Sequence, residues 1–71
     1  MDEQKLLETF GFNLKMARMR LKLTQDDMAD ITNFSKSYIS NVECGRHSLS
    51  LVNALIFAKA VNVDITKLLD M

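Results

Sequence analysis

Apolar positions along this chain recur with a helical period. Leu7, Phe10, Leu14, Ala17 and Leu21 follow one another at alternating steps of three and four, the spacing that lines one face of a helix. The pattern predicts a first helix from about Gln4 to Lys22, with Gly11 inside it at a cost of about 1 kcal/mol relative to Ala. The later boundaries repeat one device: an Asx or hydroxyl residue that can cap a helix, preceded by an apolar residue placed to touch another one turn into that helix. Thr24 caps a second helix with Leu23 facing Met28, and Asp27 completes a capping-box-like pair with Thr24. Ser35 caps a third with Phe34 facing Ile39, Ser50 a fourth after Leu49, and Asp64 a fifth with Val63 facing Leu68. Gly45 is expected to close the third helix in a left-handed conformation, and Asn33 to adopt the same conformation in the turn before it. No segment alternates as a strand would. The expected fold class is therefore all-α, a compact five-helix domain.

The fourth helix, about Leu51 to Asn62, reads LVNALIFAKAVN. Leu51, Leu55, Ala58 and Val61 are expected to form its core stripe, which leaves Val52 and Ile56 surplus on the adjoining face. With Phe57, Val63, Ile65, Leu69 and Met71 nearby, these residues suggest more apolar surface than a monomer leaves exposed. The expectation is an isologous homodimer through the fourth and fifth helices, with Val52, Ile56, Val63, Ile65 and Leu69 at its interface. The alternative is that they complete an unusually rich core. Met16, Met19 and Met28 are read as core by their helical spacing, as are Phe10, Phe12 and Phe34, while Tyr38 is the one aromatic placed outside.

Composition narrows the function classes. In 71 residues, 48% apolar and 25% charged, without proline and with two glycines, there is no linker, so residues 1–71 read as one domain. No apolar run approaches the roughly 20 residues that span a bilayer, so no membrane partner is expected. The opening MDEQKLLETF lacks the basic region and apolar run of a secretory signal, and the cytoplasm is the expected compartment. A lone Cys44 and a lone His47 give neither an internal disulfide nor a zinc ligand set, so no metal or cofactor is expected. Enzyme chemistry finds no support: His47 has no second His, Cys44 has no base partner and stands where a helix end disfavours its thiolate, and no glycine loop cradles phosphate. Nine Lys+Arg balance nine Asp+Glu, so any nucleic-acid function must come from where charges sit.

Two short helices joined by a turn of about three residues form a helix-turn-helix, here about residues 24–45, whose second helix usually enters a DNA major groove. Helical bundles also contain such pairs for packing alone, so the exposed residues of the third helix decide. With Ile39 and Val42 facing the core, Lys36, Ser37, Ser40 and Asn41 fall on the outer face, with Tyr38 at its side. Lys can donate to guanine, Asn can pair bidentately with adenine, and small Ser residues permit close approach. Lys15, Arg18, Arg20, Lys22, Lys36 and Arg46 lie in or beside the first and third helices, whereas Asp26, Asp27 and Asp30 fall on the second. Arg46, His47 and Ser48 follow Gly45 in a loop able to reach the phosphate backbone.

The run LTQDDMADITNFSKSYISNVECGR, Leu23 to Arg46, resembles the Cro/CI-type, XRE-like helix-turn-helix family of prokaryotic and phage regulators, whose DNA-binding domains have the lambda-repressor-like fold. The motif elements are Thr24-Gln25, Ala29, the segment SKSYIS from Ser35 to Ser40, and Glu43 followed by Gly45. The resemblance covers nearly the whole chain. It implies a phosphate contact for Gln25, base reading by Lys36, Ser37 and Asn41, and a backbone or base contact for Tyr38; beside these, Ser35, Ser40, Arg46, His47 and Ser48 are expected to make backbone or mixed contacts. It also implies a structural pair between Arg18 and Glu43 that orients the third helix. Two departures stand out: Lys22 replaces a usual Gly, which leaves the end of the first helix open, and Leu49 stands where Pro is common.

A dimer would set two recognition helices about 34 Å apart in successive major grooves of a pseudo-palindromic operator. With no sensor domain expected in so short a chain, no small-molecule ligand is evident, and regulation would follow protein concentration and the dimer equilibrium. The SYIS and LSL segments are similar to those of controllers of restriction-modification genes. The competing use of the same fold is a protein-interaction module, an antitoxin or accessory subunit acting through the Val52 and Ile56 face.

Overall fold

The computed structural model describes residues 2–70, so Met71, expected near the apolar surface, lies outside the described residues. Five helices follow in order, α1 Glu3–Arg20, α2 Gln25–Thr32, α3 Lys36–Glu43, α4 Leu51–Ala60 and α5 Ile65–Leu68; there is no strand among the described residues. Each helix opens on a side-chain cap that satisfies amides left without an intrahelical acceptor. Asp2 accepts from the amides of Gln4 and Lys5. Thr24 and Asp27 form the reciprocal box, with the Asp27 amide 3.0 Å from Thr24 Oγ1 and the Thr24 amide 2.9 Å from Asp27 Oδ2. Ser35 and Ser50 each accept the amide three residues on. At α5, the Thr66 amide and then its hydroxyl donate to Asp64 and hold that carboxyl below the ordinary carboxylate range.

Left-handed residues close the first four helices. Asn33 (φ 65°) and Gly45 (φ 71°) take this conformation as expected, and Lys22 (φ 59°) and Asn62 (φ 57°) join them. After α1, α3 and α4 the second amide past the cap bonds back: Leu23 to Arg18 O, Arg46 to Asn41 O and Val63 to Ala58 O. For Lys22 the conformation costs about 1–2 kcal/mol. It ends α1 at Arg20, so Leu21 falls off the apolar stripe and is 48% exposed, contrary to its expected core position.

The core gathers Phe10, Leu14 and Ala17 of α1, Met28 of α2, Ile39 and Val42 of α3, Ala54, Phe57 and Ala58 of α4, then Val61 and Leu68. Gly11 lets α1 lie against the end of α3: a Cβ there would run into the Val42 carbonyl oxygen and stand 2.7 Å from that of Glu43. Asn13 Nδ2 donates to the Leu68 and Asp70 carbonyls (3.1 and 3.0 Å), tying the end of α5 to α1.

Two core expectations are corrected. α4 is apolar everywhere except Asn53 and Lys59, so periodicity admits more than one buried stripe. Packing keeps Ala58 and Val61 inside, adds Ala54 and Phe57 to them, and turns Leu51 (71% exposed) and Leu55 (47%) outward. Phe57, expected near the surface, is completely buried. On α1, Phe12 and Met19 are exposed and Met16 is half-buried, because the core face of that helix is filled by Phe10, Leu14 and Ala17.

Candidate nucleic-acid interface

The placement of α3 against α1 and α2 is set by a buried ionic junction. Arg18 Nε donates to Glu43 Oε2 at 2.7 Å and Nη2 to Oε1 at 3.1 Å, a bidentate pair linking α1 to the last turn of α3. Nη1 donates to the Leu23 carbonyl at 2.8 Å, so the same guanidinium holds the turn that Lys22 opens. Gln25 Nε2 adds a third donor to Glu43, at 3.1 Å from Oε1. Among the described residues no buried side-chain polar atom lacks a partner, the condition under which a buried charge is tolerable.

Lys36 and Ser37 stand exposed on the first turn of α3, and Ser40 and Asn41 are half-buried one turn on. Lys36 Nζ lies 3.6 Å from Asp26 Oδ1, with both side chains largely in solvent. Such a pair is worth little and releases its lysine readily. Through Gln25–Glu43 and Asp26–Lys36 the opening turn of α2 meets both ends of α3. Ser35 is exposed but commits its Oγ to the Tyr38 amide. Arg46, His47 and Ser48 are exposed beyond Gly45, whose carbonyl accepts from Gln4 Nε2 at 2.9 Å. α1 therefore steadies the base of that loop.

Tyr38 is not the outlying aromatic expected. Its ring stacks on Phe57 (centroids 6.1 Å, 21° between planes), meets Phe34 edge-on at 5.1 Å and touches the His47 ring at 5.6 Å. Its phenol oxygen accepts from Asn53 Nδ2 at 3.0 Å. A half-buried tyrosine gains more from this apolar surround than from water, while its hydroxyl stays polar-paired. Asn53 went unnoticed in the sequence, where its one signal is to be a polar residue in an otherwise apolar helix.

Of the five residues expected at a dimer interface, Val52 (65% exposed), Ile56 and Leu69 are exposed. Val63 and Ile65 are half-buried against the core and offer only their remaining surface. Leu51 and Leu55 take their place beside Val52 and Ile56, making α4 an apolar ridge. Grooves flank it, one lined by Ile31, Thr32, Ile56 and Lys59, the other by Leu6, Leu7, Leu51, Ile65 and Leu69. No group of residues placed to hold a metal ion occurs among the described residues, and none of their helices is long and apolar enough to cross a membrane.

Known proteins share this arrangement. Control protein C.SmaI of Serratia marcescens is 32% identical over 62 residues, 87% of this chain and 74% of that protein. The crystal structure of the restriction-modification controller protein C.AhdI from Aeromonas hydrophila is similar with a TM-score of 0.82 and 34% identity, over 87% of this chain and 94% of that one. A hypothetical transcription factor from Neisseria, NHTF, superposes with a TM-score of 0.86 at 29% identity, over 97% of this chain and 79% of its own. Residues 14–68 match the helix-turn-helix family HTH_3, a span running from the middle of α1 to the end of α5. This chain belongs to that helix-turn-helix family, the XRE-like class that Leu23 to Arg46 resembles.

Proposed function

We propose that this protein is a cytoplasmic, sequence-specific regulator of transcription that binds a pseudo-palindromic DNA operator as a homodimer, with α3 of each subunit in the major groove. The observation that carries the reading is the junction at Glu43. It ties the end of α3 to both α1 and α2 while leaving Lys36 and Ser37 exposed on the leading turn. Reading a base edge needs such a fixed helix, since a mobile one would lose its discrimination to ordering entropy.

In this reading Lys36, Ser37 and Asn41 contact bases. Gln25, Ser35, Tyr38, Ser40, Arg46, His47 and Ser48 approach the sugar-phosphate backbone, which positions the helix without carrying sequence information. Because Gln25 Nε2 is spent on Glu43, its backbone amide at the start of α2 is the better phosphate donor. The α4 ridge supplies the two-fold contact through Leu51, Val52, Leu55 and Ile56, with Leu69 at its edge and Val63 and Ile65 behind. The similarity to C.SmaI and C.AhdI supports a narrower role as a controller of restriction-modification genes.

Selection of bound duplexes from a random DNA pool at near-physiological salt tests the proposal. The expected result is an enriched two-fold motif with half-sites about one helical turn apart. Salt-sensitive background without enrichment would overturn it and leave the α4 ridge as the docking face of a protein-interaction module.

A further inference from the structure

Tyr38 turns inward from α3 beside the residues proposed to face the groove, and both of its α4 partners lie beside the apolar ridge. Asn53 and Phe57 are four residues apart and share one face of α4. Val52 and Ile56 each precede one of them and form the exposed ridge next to that face. The same two turns of α4 therefore hold the ridge on one side and the recognition helix on the other. The stack on Phe57 is apolar and tolerates sliding, whereas the 3.0 Å bond from Asn53 Nδ2 to the Tyr38 oxygen is directional. The phenol accepts in this bond, so its own hydrogen remains available to donate.

We infer that Asn53 is a positioning residue which fixes the angle between the recognition helix and the α4 ridge, and thereby the half-site spacing the protein prefers. The inference rests on the operator-bound dimer proposed above and adds to it the residue that sets its geometry. Asn53 reaches no base and no reacting group. It acts through Tyr38, and its side chain is the one polar link found between the DNA-facing helix and the ridge helix among the described residues. One base pair inserted between half-sites rotates the second by about 34° and moves it about 3.4 Å. A dimer with a stiff α3–α4 angle penalises that displacement, and a loosened one absorbs part of it.

The test compares wild type, Asn53→Ala and Asn53→Asp. For each, affinity is measured for the selected operator and for operators with one base pair added or removed between half-sites, at concentrations where subunits are paired. The readout is the ratio of affinities across spacings within one protein, so changes in folding or subunit association cancel. Asn53→Ala is expected to keep the preferred operator within a few-fold and to lose about three- to tenfold of the discrimination, the range one hydrogen bond supplies. In Asn53→Asp the phenol can donate to the carboxylate, and discrimination is expected to stay near the wild-type value. Unchanged discrimination in Asn53→Ala overturns the inference while leaving the operator reading intact. Equal loss in both variants also overturns it, since packing rather than the hydrogen bond would then set the angle. A wild type that selects no two-fold motif overturns the operator reading and this inference with it.

Discussion

At Gly11 two physical rules give opposite signs. Helix propensity says that Gly11→Ala stabilises by about 1 kcal/mol. Tertiary geometry says that the new Cβ meets the carbonyls of Val42 and Glu43, backbone atoms that cannot swing aside. The second should win, with a loss of about 3 kcal/mol, the upper end of ordinary overpacking. Denaturant unfolding checks this, the midpoint falling at unchanged slope; a raised midpoint would mean that α1 and α3 part freely. Lys22 is the converse case, a residue of acceptable propensity held in a left-handed conformation because the Schellman closure of α1 and the Arg18 bond to the Leu23 carbonyl require that turn. Arg18 and Glu43 then show why chemistry and position must be read together: neither charge is tolerable in the core without the other.

At the level of elements, α4 carries the division of labour. One stripe, Ala54, Phe57, Ala58 and Val61, belongs to the core, and the opposite ridge of Leu51, Val52, Leu55 and Ile56 remains outside. Leu55→Asp places a charge on the ridge without touching the core. It should leave helicity and thermal unfolding of the subunit close to wild type while abolishing subunit pairing, as sedimentation velocity over a concentration series would show. A paired Leu55→Asp protein would remove the ridge from the interface. α3 depends on its neighbours for a different reason. With eight residues it is too short to persist alone in water, so its orientation is a property of the Arg18, Gln25 and Tyr38 contacts rather than of its own sequence.

For the molecule as a whole, the zero formal charge has a consequence for how DNA is held. In the proposed dimer, affinity would come from a few placed cations and from two heads on one duplex rather than from a global positive field. Arg46→Ala should therefore weaken binding to all sequences alike and reduce the salt slope by about one per head, with the selected motif unchanged. Titrations at several salt concentrations check it, and a changed motif would instead place Arg46 on a base. Because α3 and the α4 ridge are carried by one small core, the proposed dimer would link subunit pairing to operator geometry through α4.

Much of this molecule is legible without coordinates. Caps are local chemistry, so Thr24, Asp27, Ser35, Ser50 and Asp64 announce four helix starts, and Asn33 and Gly45 announce two ends, from residue types and spacing alone. The helix-turn-helix and its outward face follow from those boundaries and from the family pattern. What the sequence could not decide is rotation and proximity. A helix apolar on all sides has no preferred face until neighbours pack on it, so Leu51 and Leu55 exchange roles with Ala54 and Phe57. A glycine inside a helix reads as a small penalty until another backbone is seen against it, and Tyr38 reads as a surface residue until Phe57 and Asn53 are brought beside it from another helix. Local capping energies act within one turn and are written in sequence order. The choice of buried face and the distance between helices arise from close packing of residues far apart in the chain, and only the tertiary structure resolves them.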